Sequence, residues 1–346
     1  MMNVNKKVRS VVLEGYGGYD KIRIQRLPVD DLEPLSLYIR IHLCGVNFSD
    51  IYTRQGLLRD LKTPRILGTE CYGIVENYGK DVTNFQCGDR VICYMWTGGL
   101  FRELAVVPEK NCFLIPDVIC NQDAVSLPAN YLTAYLSIFT MGNLQPGETV
   151  LIHSIAGGVG CAATQLANTV KDVTIFGTAS ASKHQDLKKN GVNRVLHHRT
   201  YMTQARNILP GGFDLIIDSI GGPNIEISQS LLKPCGRLVI IGGSCYINGD
   251  KLNMFRSMAL KWQTKNLVPR TMIENNISVS GLHLGLLFET NPTKIRDIME
   301  ELFQMMKDKL IKPKIHTTLP FEEVIAAQRL LSERENYGKV LLKINH

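Results

Sequence analysis

With 346 residues, 45% of them apolar and 21% charged, the chain has the balance of a folded globular protein, which argues against disorder. It is longer than one typical hydrophobic core supports, so two domains are expected. The net charge of +7 is spread along the sequence without a run of five basic residues. That pattern reads as an ordinary solvated surface, with attraction to anionic lipid or nucleic acid as the alternative; no nucleic-acid partner is expected.

Nine cysteines without a Cys-x-x-Cys pair, and a first stretch (residues 1–8) lacking a hydrophobic signal core, point to a reduced, cytoplasmic setting. No apolar stretch approaches the roughly 20 residues of a membrane span, so any membrane contact is expected to be peripheral.

Residues 8–116 read as β-rich. Segments 9–13 and 37–43 alternate with a period of two, and glycines at 15, 17, 18, 45, 68, 73, 79 and 88 punctuate the strands of what should be a small twisted barrel. Segment 87–93 looks like a tight turn entering a strand. Residues 117–141 change character, with a helical pattern over 130–139, and Pro146-Gly147 closes this linker.

Thr149–Ile152 is a short strand of β-branched and apolar residues, followed by three glycines within four positions and a helix with a small-residue face over 161–168. Further strands are expected at 173–176, 194–196, 214–218, 237–241 and 277–281, six with the first, alternating with helices. Continuous apolar strands of this kind imply a doubly wound parallel sheet covered on both faces. A helix over 292–310, a strand over 314–318, a helix over 321–333 and a final strand over 338–344 form a tail expected to return to the first domain. The resulting division is 1–130, 131–284 and 285–346.

Strand, glycine turn and helix is the layout that brings backbone N–H groups and a helix N-terminus up to a pyrophosphate. A Cβ there would either forbid the turn or hold the phosphates away. The spacing is not Gly-x-Gly-x-x-Gly, and glycine turns also join strands to helices for purely architectural reasons. The strand–helix units downstream favour a dinucleotide site at Ala156, Gly157, Gly158, Val159 and Gly160. No acidic residue occurs over 173–183, where an NAD-selective site holds a carboxylate against the ribose. NADPH is therefore the expected cofactor. Thr178, Ser180 and Lys183 are candidates to bind its 2′-phosphate, and His198 to stack on the adenine or add a donor. The alternative makes Lys183 a helix-surface residue and Thr178 and Ser180 capping groups.

The ordered segments Cys44-Gly-Val-Asn-Phe-Ser-Asp50, Gly68-Thr-Glu70, Gly88-Asp-Arg-Val91, Leu127-Pro-Ala-Asn-Tyr-Leu-Thr-Ala-Tyr135, Ala156-Gly-Gly-Val-Gly160 and Gly338-Lys-Val-Leu-Leu342 resemble the quinone oxidoreductase branch of the medium-chain dehydrogenase/reductase superfamily. Phe176-Gly-Thr-Ala-Ser-Ala-Ser-Lys-His184, Gly142-Asn-Leu-Gln-Pro-Gly147 and Gly281-Leu-His-Leu-Gly285 look like its subgroup of synaptic-vesicle membrane protein homologues, of the vesicle amine transport type. The likeness covers nearly the whole chain. It implies an α/β fold with a Rossmann-like doubly wound parallel sheet of six strands plus a GroES-like β-barrel domain, and a homodimer. The implied reaction is NADPH-dependent hydride transfer to a quinone or an α,β-unsaturated carbonyl. In zinc-containing relatives the segments matching Gly45-Val-Asn47 and Gly68-Thr-Glu70 supply a cysteine and a histidine. Asn47 and Thr69 stand there instead, and no close series of four cysteines occurs, so zinc is not expected.

The same resemblance sets Asn47 and Tyr52 against the nicotinamide. Asn47 is a candidate to bond the nicotinamide ribose, or else a turn residue bonding its own backbone. Tyr52 is a candidate to donate to the substrate oxygen or protonate the product, or else a tyrosine packed on the barrel. Thr133, Gly242, Gly243, Ser244, Leu282 and Lys339 complete the cofactor-proximal set. For Thr133 the alternative is a helix hydroxyl without a ligand, for 242–244 a plain turn, and for Lys339 a solvated surface lysine. His153 and His283 lie in strand-like runs and are expected to be structural. Stretches 54–64 and 262–276 are expected to line the substrate pocket, with Arg54, Arg59 and Lys62 admitting an acidic group or merely solvated. The edge strand 277–284 is expected to pair across a dyad. A second class of function stays open: a nucleotide-binding protein at vesicle or mitochondrial outer membranes, acting in lipid handling with little or no catalysis.

Overall fold

A computed structural model describes residues 7–58, 60–247, 249–264 and 267–346. The N-terminal part is built from β1 (Lys7–Leu13), β2 (Ile22–Pro28), β3 (Ser36–Val46), β4 (Arg65–Ile66), β5 (Glu70–Tyr78), β6 (Arg90–Tyr94), β7 (Leu104–Pro108) and β8 (Cys112–Leu114). On β3 the period of two is physical: Leu37, Ile39, Ile41 and Leu43 are buried, while Tyr38, Arg40 and His42 are only partly covered. Where one barrel was expected there are two sheets, a three-stranded one ordered β2-β1-β4 and a seven-stranded one centred on β3. They join through the Val11 N–H, which donates to the Phe101 carbonyl at 2.8 Å, and an isolated bridge between Ser10 and Arg102.

The second part holds β9 (Thr149–Ile152), β10 (Thr174–Ala179), β11 (Arg194–His197), β12 (Phe213–Asp218), β13 (Leu232–Ile240) and β14 (Ser278–Gly281), in the order β11-β10-β9-β12-β13-β14. Every pair is parallel. Val150, Ile152, Leu215 and Ile217 bury one face against Ala162, Ala163 and Leu166 of the helix Gly158–Ala167. Leu151, Phe176, Ile216 and Leu238 bury the other against Tyr201 and Ala205. Both faces are covered, as continuous apolar strands require. Strand β13 begins five residues earlier than its apolar run: Leu232 pairs with Phe213, the register then shifts through a bulge that holds Cys235 at a φ of 67°, and pairing resumes at Arg237. The order turns around beside β9, and such folds open their ligand crevice there, at the carboxyl ends of the strands.

Between the two parts, residues Leu127–Met141 form a continuous helical segment with wide π turns at both ends. Its side chains Leu127, Tyr131 and Leu136 share one core with Tyr72 and Ile92 of the first part and Val150 of the second. The tail adds β15 (Ile315–Pro320) and β16 (Lys339–Lys343); β16 pairs antiparallel with β3 and parallel with β15, so the chain ends inside its first sheet.

Candidate active site

Strand β3 runs out at Val46, and Asn47 turns the chain into the helix Phe48–Arg54. Its backbone N–H donates to Asp50 Oδ2 at 2.8 Å, an acidic residue reaching back over a helix start. The Asn47 side chain is occupied at both ends. Nδ2 donates to Glu70 Oε1 (3.0 Å) and Thr69 Oγ1 (3.1 Å), and Oδ1 accepts from Lys339 Nζ at 2.6 Å. Lys339 is ion-paired to Glu70, whose other oxygen accepts from the Ala129 N–H at 2.8 Å. Glu70 is 0% and Lys339 3% exposed, so each charge has exchanged water for the other and for hydrogen bonds. Lys339 is thus a buried ion-pair partner and no surface lysine. Gly45 faces the pair, and a Cβ there would fall on the Glu70 carboxylate and 2.7 Å from Lys339 Cε.

The donor set does not fit zinc. An amide and a hydroxyl stand at the two positions where zinc-containing relatives carry thiolate and imidazole, and the Lys339 ammonium between Asn47 and Glu70 opposes a second cation. Among the described residues no group of three or more His, Cys, Asp or Glu could hold a metal ion.

Asp50, 1% exposed, is raised by burial to about 7, against the help of the Asn47 N–H and Lys339. Its unfolded value is ~3.9. Between these values the folded state keeps a proton the unfolded state has lost, so this contribution to stability is present at low pH and lost as pH rises through 7. Asp50→Asn, which cannot ionise, should gain on the order of 2 kcal/mol relative to the unmodified protein between pH 5 and pH 8. Denaturation at the two pH values measures this; an unchanged difference would mean that Asp50 does not titrate in that window.

Five residues beyond Asn47, Tyr52 reaches the other part of the chain, its hydroxyl accepting from the Gly243 N–H at 3.2 Å. Burial pushes its phenol up to about 12. The loop after β13 therefore closes on the helix that follows β3. Gly242 is beside the same hydroxyl, with a Cβ position 3.5 Å from it. The Ser244 hydroxyl is buried without a partner among the described residues, and the Ser244 carbonyl accepts from Arg334 Nη2 at 3.3 Å.

The glycine turn holds its shape for reasons the sequence only half reveals. None of its three glycines has a positive φ; Ser154 takes the left-handed position at 52°. Close packing requires two of them. A Cβ on Gly160 would fall 2.5–2.6 Å from the Ile155 backbone, and one on Gly158 would meet the Asn130 amide at 2.8 Å. Gly157 is freer, its nearest neighbour being the Ser154 carbonyl at 3.2 Å. Gly157, Gly158 and Val159 are half-exposed at the start of the helix, where N–H groups lack helical partners. Ala156 is buried, its carbonyl accepting from the Gly338 N–H at 2.9 Å.

The other candidates fall as follows. Thr178 caps no helix: its hydroxyl accepts from the Ser154 N–H (3.1 Å) and meets His153 Nδ1 at 3.2 Å, which fixes the turn. Ser180 starts the short turn Ala181–Lys183. Lys183 is half-buried, and its amine donates to the carbonyls of Arg334 (2.8 Å) and Asn336 (2.6 Å), so it is neither a free phosphate ligand nor a solvated side chain. One of its three N–H donors remains for a ligand. His198 is exposed beside His197. Thr133 is half-exposed, with its carbonyl bonded to Ser137. The Leu282 N–H continues the β13 ladder to Ile240 (2.9 Å). His153 is fully buried and also meets Ser228 at 3.3 Å, a structural role. His283 lies outside β14 and caps the helix Leu284–Thr290, accepting from the Leu286 N–H at 2.9 Å.

Two expectations for the pocket fail. Arg54 is fully buried, stacked 4.1 Å over the Tyr19 ring and bonded to Gly17, Gln328 and Asp250, so it joins the parts of the chain and admits no ligand. Lys62 is exposed, and Arg59 lies outside the described residues. The described residues of 262–276 are almost all exposed; 265 and 266 lie outside them. Sequence reasoning missed Asp50, Glu70 and Arg334 as site residues. For Glu70 the available signal was a carboxylate opening a strand that buries its next three residues.

The fold and this junction are those of a two-part oxidoreductase. Residues 33–117 match the Alcohol dehydrogenase GroES-like domain family and residues 190–342 the Zinc-binding dehydrogenase family. The human synaptic vesicle membrane protein VAT-1 homolog is 38% identical over 340 residues, 97% of this chain and 86% of its own. The crystal structure of human synaptic vesicle membrane protein VAT-1 homolog-like protein superposes with a TM-score of 0.86 at 33% identity, covering 99% of both chains. Escherichia coli quinone oxidoreductase complexed with NADPH shares the fold, with a TM-score of 0.85 at 23% identity over 97% of this chain and 99% of that one. The chain belongs to the medium-chain dehydrogenase/reductase superfamily, close to the VAT-1 homologues and to quinone oxidoreductase structures.

Proposed function

We propose that the protein is an NADPH-dependent reductase of quinones or α,β-unsaturated carbonyls that works without zinc. The observation that carries this reading is the approach of the Tyr52 hydroxyl to Gly243 at the carboxyl end of the parallel sheet. It sets an acid–base group of the first part over the nucleotide crevice of the second. The residues present fit the cofactor: Gly157–Val159 offer a half-exposed helix start for a pyrophosphate, and the buried Ser244 hydroxyl wants a partner beside Gly243. Ala156, Gly160 and the buried Thr178 shape that turn; on this reading Ser180, Lys183 and His198, with Arg334, would bind the 2′-phosphate and adenine. Thr133, Gly242 and Leu282 would face the nicotinamide end.

NADPH, when bound, supplies the hydride. Tyr52, held protonated by its raised value near 12, donates a hydrogen bond to the oxygen on which charge develops. Asn47 and Lys339 hold each other and Glu70 in place behind it. Tyr52→Phe should lower kcat/KM for a quinone or enone by about 10²-fold, while NADPH affinity stays close to that of the unmodified protein. NADPH and NADH oxidation across a panel of such acceptors measures it. An unchanged kcat/KM removes Tyr52 from the reaction, and equal use of NADH removes the cofactor preference. A homodimer joined along the outer edge of β14 accompanies this reading.

A second reading, a nucleotide-binding protein that acts on membranes with little turnover, draws support from the exposed apolar side chains of residues 254–273. No helix among the described residues is long and apolar enough to cross a membrane, so such contact would be peripheral. Turnover without vesicle co-sedimentation favours the first reading, and the reverse favours the second.

A further inference from the structure

The geometry points to Trp96 as the aromatic wall of the acceptor pocket, selecting flat, uncharged ring acceptors such as naphthoquinones over straight-chain enones. This rests on the reductase reading above and names the substrate class within it.

Strand β6 ends at Tyr94, directly opposite Glu70, so the loop that follows leaves the first sheet at the level of the Asn47–Lys339–Glu70 junction. There the Met95 N–H donates to the Thr69 carbonyl at 2.8 Å, and Thr69 Oγ1 accepts from Asn47. Trp96 is the next residue. Its ring meets that of His283 edge-on, with 4.5 Å between centroids and 70° between planes. His283 follows the end of β14, just as Gly243, the partner of Tyr52, follows the end of β13. Those strands are neighbours, with Ile240 opposite Gly281. Adjacent strands stand ~4.8 Å apart. Tyr52 and Trp96 therefore bring the first part onto successive strand ends, and the crevice opens beneath the gap between them.

The indole is firmly seated. A Cβ on Gly285 would fall 2.6 Å from Trp96 Cβ and Cδ2, so glycine is what lets the ring lie against the start of the helix Leu284–Thr290. That helix is anchored in turn by Phe288, which stacks on Tyr94 at 4.4 Å. The same packing closes Tyr94 over to 3% exposed, yet Trp96 stays half-buried. Part of a fixed aromatic surface is thus left uncovered beside the crevice.

Chemistry selects the class. Lys339 is engaged by Glu70 and Asn47, and Arg54 by Gly17, Gln328 and Asp250, so neither receives a carboxylate on the acceptor. The wall offers a ring face, and ring on ring gains beyond the apolar area covered. A quinone or an aryl enone collects that gain, and an alkyl chain does not. The Tyr52 hydroxyl accepts from Gly243 and keeps its own proton to donate, so the acceptor's oxygen and its ring each find a partner.

The test compares turnover of menadione with that of octenal, a straight-chain enal. Trp96→Leu keeps an apolar side chain but no ring. It should lower kcat/KM for the quinone about three- to tenfold relative to that for the enal, leave NADPH affinity unchanged, and be largely rescued by Trp96→Phe instead. Equal losses for both acceptors would make Trp96 a strut between the parts and overturn the inference. Binding is read separately. The chain has 2 tryptophans, so Trp262→Phe, at a residue 89% exposed, leaves Trp96 as the sole indole emitter. With NADP+ added, menadione should quench that emission saturably. Quenching that rises linearly without saturation overturns the inference even where turnover is found. Saturable quenching without turnover of either acceptor keeps the ring-binding wall and removes the reductase. The absence of both removes both.

Discussion

Replacing Lys339 by methionine is expected to cost about 3–5 kcal/mol of folding stability, more than any other single change in the N-terminal sheets. The methionine fills the same space, so packing changes little. What remains is the Glu70 carboxylate, fully buried, with the Asn47 amide and the Ala129 N–H as its donors and no compensating charge. Removing the carboxylate as well, in the pair Glu70→Gln with Lys339→Met, should recover much of the loss, because a neutral amide can keep company with Asn47 and Ala129. Chemical denaturation of the three variants measures both the cost and the coupling. A single Lys339→Met variant within about 1 kcal/mol of the unmodified protein would mean that water reaches the junction and screens the pair.

The second large effect separates two uses of glycine within one turn. Gly160→Ala should lower the stability of the protein without ligand by about 1–3 kcal/mol, since its Cβ meets the Ile155 backbone and the helix start must move away. NADPH affinity should fall with it by about 10²-fold, because the first-turn N–H groups move too. Gly157→Ala should leave the free protein near its original stability: its φ of −73° suits alanine, and the Ser154 carbonyl at 3.2 Å needs to give only slightly. Any loss of NADPH affinity in that variant then reports the approach of the ligand itself. Equal melting temperatures for Gly160→Ala and the unmodified protein would refute the packing explanation; unaltered NADPH binding in both variants would remove the turn from the cofactor site.

The repeated strand–helix pattern was legible in the sequence because burial on both faces of a parallel sheet demands apolar runs, and the inner strands β9, β10, β12 and β13 carry them, while the edge strands β11 and β14 are half polar or more. The N-terminal part was less so. Alternation locates β3 but cannot tell that its neighbours form two sheets, since pairing is chosen by residues far away in sequence. The site shows the same division. Asn47 and Lys339 both stood out, one as a substitution for a metal ligand and one as a cofactor-proximal position by resemblance, yet nothing local says that they meet at 2.6 Å across 292 positions. Glu70, the third partner, looked like an ordinary strand-opening carboxylate. Lys183 was half legible for a related reason: the absence of acid over 173–183 shows in the sequence, but the carbonyls that take two of its N–H groups come from the turn at 334–336.

The position of β16 sets an order of assembly. It pairs directly with β3, Val340 opposite Val46, and lies between β3 and β15, so it is an interior strand of the first sheet although it is synthesised long after β3. The parallel sheet, contiguous from Thr149 to Gly281, has all its strands once residue 281 has left the ribosome. The sheet begun first must wait. Until Lys339 emerges, Glu70 and Asn47 lack the cation around which they are arranged, and the inner edge of β3 stays open to pairing with other chains. The hazard in making this protein therefore lies at β3, and it is relieved only when β16 arrives.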